Sequence, residues 1–314
     1  MNNKKILLIC LLLTSLLVLA ASCENLFGGG GISSSGKGIT IEYTSFPRTF
    51  ELYENQPFRI GVVATNHNTV GDPVEGWICF SDDLTDRYHI PKPFRECQSL
   101  FLTPASVAGE SSTPLPEQFW FPETASGAYI NLDEKLTRTS TITTSLKFKY
   151  RTEAGQQLCV KQPFLEESQL RVSCSDFETF SRIQQIEGPL KISKIDKEVT
   201  PINEGQANVN LEITIEKSSS GELLNLDQVS PDGLISSQAV VEFEANLDGE
   251  ALKCSPVQGN KILFRSNENK KVINCNIPVT ISQEYIQRFL TINVDYGFQI
   301  DKPLNPIELK KRKG

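Results

Sequence analysis

Along most of this chain apolar and polar residues alternate one for one, and the alternation predicts strands. Ile39, Ile41 and Tyr43 are interleaved with Thr40, Glu42 and Thr44, and Phe58, Ile60, Val62 and Ala64 keep the same two-residue beat. Ile142, Leu146, Phe148 and Tyr150 share one face, with Lys147 and Lys149 on the other. The clearest runs are Ala207, Val209, Leu211, Ile213 and Ile215, then Val241, Phe243, Ala245 and Leu247, and finally Leu290, Ile292, Val294, Tyr296 and Phe298. Side chains of a strand point alternately to opposite faces, so such runs bury one face and wet the other. Antiparallel sandwich sheets do this; parallel sheets covered on both faces do not. Asp248-Gly249 supplies a tight hairpin turn into Leu252 and Cys254. No long amphipathic helix is predicted. Phe177, Phe180, Ile183 and Ile186, spaced by threes behind Ser175 and Asp176, predict one short helix, and Ser282 to Phe289 predicts another. The expected fold class is all-β, with two tandem antiparallel β-sandwich domains and at most short helices.

Gly188-Pro189 is the expected boundary, because neither a helix nor a strand continues easily through that pair. It separates residues 39–187 from residues 190–303, with 304–314 as a basic tail. Both segments open alike. Tyr53-Glu54-Asn55-Gln56 leads to the strand at Phe58, and Asn203-Glu204-Gly205-Gln206 leads to the strand at Ala207. Two diverged copies of one β-module would explain this.

That opening, Glu-(Asn/Gly)-Gln before an alternating strand, resembles the start of the immunoglobulin-like, cell-adhesion-related modules of prokaryotic, notably archaeal, surface proteins. The run Phe148-Lys149-Tyr150-Arg151-Thr152-Glu153-Ala154, with Leu158-Cys159-Val160, is similar to a segment of archaeal secreted proteins. The resemblance spans most of residues 39–300. It implies immunoglobulin-like sandwiches used for display, adhesion or assembly, and it carries over no catalytic residue. The Cys…Trp…Cys arrangement of antibody domains is missing, since Trp77 precedes Cys79 by two residues in one strand, so local bridges are expected.

The first residues bear on where the protein works. Lys4 and Lys5 precede an apolar run from Ile6 to Ala21, which reads as a secretory signal sequence. Ala20, Ala21 and Ser22 then lead into Cys23, which resembles the lipobox of prokaryotic lipoproteins and implies lipid on the Cys23 sulfur. A free secreted protein cut at the same bond is the alternative. Cysteine parity favours the anchor. Of the eight cysteines, Cys10 leaves with the signal, and lipid on Cys23 leaves an even number. The remainder form three local couples, Cys79 with Cys97, Cys159 with Cys174 and Cys254 with Cys275. In the chain-entropy model each such loop is worth about 3 kcal/mol. Residues 24–38, rich in Gly and Ser, read as a flexible tether with a root-mean-square span of roughly 20 Å.

Candidate chemistry is sparse. Acid–base catalysis at neutral pH would draw first on histidine, and the two present, His67 and His89, sit among turn formers. No enzyme, no catalytic residue and no cofactor are therefore expected. Asp82, Asp83 and Asp86 form a weak calcium candidate, with a solvated turn preferred. Phe119, Trp120 and Phe121, set between prolines, are the best candidate for partner contact or for stacking on a sugar, although a lid folded back over the sandwich is weighed slightly above either. Without Lys4 and Lys5 the chain holds 29 basic against 38 acidic groups, a formal −9. That balance speaks against nucleic acid and anionic membrane surfaces. Lys310 to Lys313 read as a frayed solubilising end. The leading expectation is a lipid-anchored surface protein that contacts a protein or glycan. A self-assembling envelope or filament subunit comes second, and an extracellular carbohydrate-binding accessory or hydrolase third.

Overall fold

The alternating runs are strands, and they bury the faces their apolar residues share. The computed structural model describes residues 38–45, 51–68, 71–82, 96–104, 115–123, 128–129, 138–166, 170, 172–186, 188–304 and 306–311. In chain order the strands are β1 (Ile39–Ser45), β2 (Glu51–Tyr53), β3 (Ile60–Asn66), β4 (Val74–Asp82), β5 (Glu96–Leu102), β6 (Glu117–Phe121), β7 (Arg138–Ser140), β8 (Ile142–Lys161), β9 (Phe177–Phe180) and β10 (Gln184–Gln185). They continue as β11 (Leu190–Asn203), β12 (Gln206–Lys217), β13 (Glu222–Leu224), β14 (Gln238–Leu247), β15 (Glu250–Ala251), β16 (Lys253–Ser255), β17 (Lys261–Arg265), β18 (Lys270–Thr280), β19 (Tyr285–Pro303) and β20 (Ile307–Lys310). Among the described residues the only helical element is a 3-10 turn, Leu226–Gln228. The protein is all-β.

A ribbon of two long strands organises the sheets. β8 and β19 pair antiparallel without a register shift from Lys161 opposite Tyr285 to Thr143 opposite Pro303. The outer edge of β8 takes β4 along Ile142 to Phe148 and β10 at Ala154 and Gly155. The outer edge of β19 takes β14 along Leu290 to Asp295 and β13 along Gly297 to Gln299. With β5, β15 and β17 at its margins this makes a nine-stranded sheet, to which strands from both sides of Gly188-Pro189 contribute. The sheet β1-β3-β6 is joined to the β4 half by Phe121 stacked on Phe80 at 5.1 Å and by the hydrogen bond between the Tyr43 and Thr144 hydroxyls. The sheets β16-β18-β12-β11-β9 and β2-β20-β7 bury their apolar faces in the same core. Among the described residues all pairing is antiparallel except β2 with β20.

Tyr150 and Tyr296 face each other across the ribbon with ring centroids 5.9 Å apart. The Leu190 amide donates to the Tyr296 hydroxyl at 2.9 Å, so the chain is tied down immediately after Gly188-Pro189. A Cβ at Gly188 would lie 2.4 Å from the Tyr150 ring, so only glycine lets the connection pass there. The rows Val241, Phe243, Ala245, Leu247 and Leu290, Ile292, Val294, Tyr296, Phe298 are buried in one continuous core. Each aliphatic side chain there contributes about 1.5–3 kcal/mol relative to exposure.

Four expectations are corrected. The segment spaced by threes after Asp176 is not helical: Phe177 to Phe180 pair with β11 as an edge strand, and β10 follows on β8. Four apolar residues do not fill a helical stripe, and the open backbone edge of β11 offers more hydrogen bonds than one short helix. Tyr285 to Phe289 likewise belong to β19, where the edge of β8 runs opposite them. The tail is no frayed end as far as Lys310, because buried Ile307 and Leu309 alternate with Glu308 and Lys310 in a strand held between β2 and β7. Lys147 does occupy the face opposite Phe148, but it is buried, since residues 225–233 cross that face and their carbonyls receive its ammonium.

Candidate interaction surfaces

Among the described residues three disulfides join the local couples, Cys79–Cys97, Cys159–Cys174 and Cys254–Cys275. Two of them join residues directly opposite in neighbouring strands, β4 with β5 and β16 with β18. The third ties the end of β8 to the chain just before β9. Such bridges belong to an oxidising or extracellular space. Cys23 lies outside the described residues. Among those described, no helix is long and apolar enough to cross a membrane.

The aromatic candidate comes apart by the rule of alternation. β6 pairs with β3 so that Phe119 and Phe121 face inward, 5% and 0% exposed, and neither can anchor a partner. Trp120 faces outward beside Gly61, where a Cβ would come 3.1 Å from its ring. Glycine therefore leaves the space the indole fills. The Arg59 guanidinium lies over the indole at 5.0 Å, and its own N–H groups donate to the carbonyls of Pro122 and Glu123. A sugar stacking on that ring face would have to displace a held cation, which costs about 0.5–1 kcal/mol in cation–π attraction alone.

The calcium candidate is also divided. Asp82 is buried, and its carboxylate accepts hydrogen bonds from the hydroxyls of Tyr129 and Ser140, which joins β4 to β7. It acts as a structural acceptor rather than as an open cation ligand. Asp83, Asp86 and His89 lie outside the described residues. Among the described residues no three His, Cys, Asp or Glu side chains are grouped to hold a metal. His67 is held by the Thr40 hydroxyl at 2.8 Å.

Among the described residues two larger open surfaces stand out, neither singled out by the sequence. On the outer face of the five-stranded sheet, Asp196, Glu212 and Asn274 form one cross-strand row, and Glu198, Asn210 and Asn276 the next. They line a shallow groove of about 430 Å³. Its carboxylates and amides suit a partner rich in hydroxyl or N–H groups. The Lys194 ammonium, then the Thr179 hydroxyl, hold the Asp196 carboxyl below the usual carboxylate range. The second surface is an open basin of about 880 Å³ beside β17, bordered by Lys261, Leu263, Arg265 and Lys271. The alternation in Lys-Ile-Leu-Phe-Arg was a readable signal for it, but which edge of that strand stays open depends on pairing.

No protein-family model matches the sequence, and no curated protein does. Among solved structures, the crystal structure of the GH31 alpha-xylosidase from Xanthomonas citri aligns with 84% of this chain at 7% identity and a TM-score of 0.11. The aligned part is 38% of that enzyme's chain, and nothing about fold or function follows from a score of that size.

Proposed function

We propose that this protein is a surface interaction or adhesion protein, exported and anchored through lipid on Cys23, whose β-sandwiches hold contact surfaces away from the membrane. The observation that carries the reading is the construction of the frame. Three local disulfides pin the sheets, and an unbroken ribbon runs through them. A frame so cross-linked presents fixed outer faces, which supports recognition by shape and charge. The Gly/Ser-rich residues 24–38 fit the part of a spacer between anchor and frame.

Intact-mass analysis of the mature protein, combined with membrane fractionation, tests this. The expected result is a chain beginning at a lipid-modified Cys23, in the membrane fraction, with all three bridges formed. Cys23→Ala should release a folded protein into the medium. A mature chain recovered from the cytosol with reduced cysteines would sink the reading. Light scattering separates it from an assembly subunit, which would form concentration-dependent polymers.

A further inference from the structure

Among the described residues β17 is an edge strand of the nine-stranded sheet, paired on one side only, with β14. The Phe243 amide donates to the Asn260 carbonyl and the Ser266 amide to the Ser237 carbonyl. In an antiparallel ladder the paired positions then fall at Ile262 and Phe264, so the backbone groups of Lys261, Leu263 and Arg265 point away from β14. Local turns use two of these three. Lys261 exchanges both backbone bonds with Gln258, and Arg265 donates to the Glu268 carboxylate and accepts from the Glu268 amide. Leu263 keeps an unpaired N–H and C=O among the described residues, and the residue is 51% exposed.

Charge says what can take that place. Lys261, Arg265 and Lys271 border the basin around this rung, in a chain whose formal charge is −7. The Glu268 carboxylate in the same basin is engaged by Lys271 at 3.0 Å. Lys261 and Arg265 make no ion pair among the described residues. A second copy of β17 would not fit. Antiparallel pairing centred on Leu263 sets Lys261 against Arg265, and like charges directly opposite destabilise a sheet.

We propose that this edge binds an extended acidic segment of a partner protein, added as one short antiparallel strand. The pattern it takes is acid-x-apolar-x-acid. The apolar residue lies on Leu263, and the acids meet Lys261 and Arg265, because alternate residues share a face. The proposal rests on the interaction reading above only in that the partner is a protein. It is tested on the purified disulfide-bonded protein, so its failure leaves the anchoring experiment untouched.

The probe is the capped pentapeptide Glu-Thr-Leu-Thr-Glu, with Lys-Thr-Leu-Thr-Lys as control, followed by amide NMR and fluorescence anisotropy. The expected result is a saturable shift and exchange protection at the Leu263 amide with the acidic peptide, and none with the basic one. Lys261→Glu combined with Arg265→Glu should weaken binding at least about tenfold, since two like-charged contacts replace two attractive ones. Leu263→Pro removes the outward N–H at a position where an edge strand tolerates proline, so the protein should stay folded while binding falls at least about tenfold. Should that variant unfold, the exchange protection and the charge variant decide. The inference is overturned if the acidic peptide does not bind at millimolar concentration, or if folded Leu263→Pro binds it unchanged. It is equally overturned if dextran sulfate competes fully with the peptide while the Leu263 amide stays unprotected throughout, which would make the basin a plain anion patch.

Discussion

At the scale of single residues, buried polar groups do the locating. Tyr43 joins two sheets through hydrogen bonds to Thr144 and to the Lys302 carbonyl, and desolvation pushes its pKa from 10.0 up to about 12. Burial raises Tyr296 as well, against its hydrogen bonds with the Thr152 hydroxyl and the Leu190 amide. Both pKa values are raised on folding, so the linked stability is fully present below about pH 10 and is lost as pH rises through that value and beyond. Burial lowers Lys302, which works in the opposite sense as pH approaches 10.5, so a net alkaline loss belongs to the tyrosines. Urea midpoints should therefore fall above about pH 10, and fall less steeply in Tyr43→Phe than in the parent. Identical slopes would remove Tyr43 from this role. Lys147 gives a second test. Its ammonium donates to the Gly233 carbonyl at 2.6 Å beneath residues 225–233, so Lys147→Ala should cost about 2 kcal/mol in urea unfolding. Hydrogen exchange in 226–233 should rise with it, and an unchanged exchange pattern would mean that the crossing segment is held by apolar contacts alone.

At the scale of elements, the two-residue beat was enough wherever one face meets the core and the other meets water. It located β1, β3, β12, β14 and the middle of β19. The Asp248-Gly249 turn was legible too, because both residues take positive φ, 50° and 86°, as a two-residue type I′ hairpin requires. What failed were segments whose state depends on a distant edge. β9 pairs with β11, β20 with β2 and β7, and no local period announces those partners. The same limit explains the candidate site. A run of Phe-Trp-Phe displays aromatic character but not its register, and once β6 paired with β3 only Trp120 stayed outside. The Cys159–Cys174 bridge tests how far β9 depends on its tether. Cys159→Ser with Cys174→Ser should cost about 3 kcal/mol, the chain-entropy value for a loop of 15 residues. Amides of Phe177 to Phe180 should lose exchange protection while the centre of β8 keeps it. Protection retained throughout would show that pairing with β11 alone holds the edge.

At the scale of the whole molecule, the shared ribbon decides how the protein unfolds. The β8 and β19 strands come from opposite sides of Gly188-Pro189, yet they exchange backbone bonds along their full common length and carry Phe148 against Phe298 at 5.9 Å. Residues 190–303 without β8 would expose the long edge of β19, including buried Tyr296, to water and to edge-to-edge pairing. Residues 39–187 without β19 would expose β8 in the same way. Each half thus completes the other's sheet, and local composition could not report this, because the pairing joins residues more than a hundred positions apart. Calorimetry of the disulfide-bonded protein should accordingly give one cooperative transition with matching calorimetric and van't Hoff enthalpies. The two fragments expressed separately should aggregate, and mixed during refolding they should restore the near-ultraviolet signal of the intact chain. Two resolved transitions, or a soluble and cooperatively folded 190–303 fragment, would show that the ribbon merely joins modules able to stand alone.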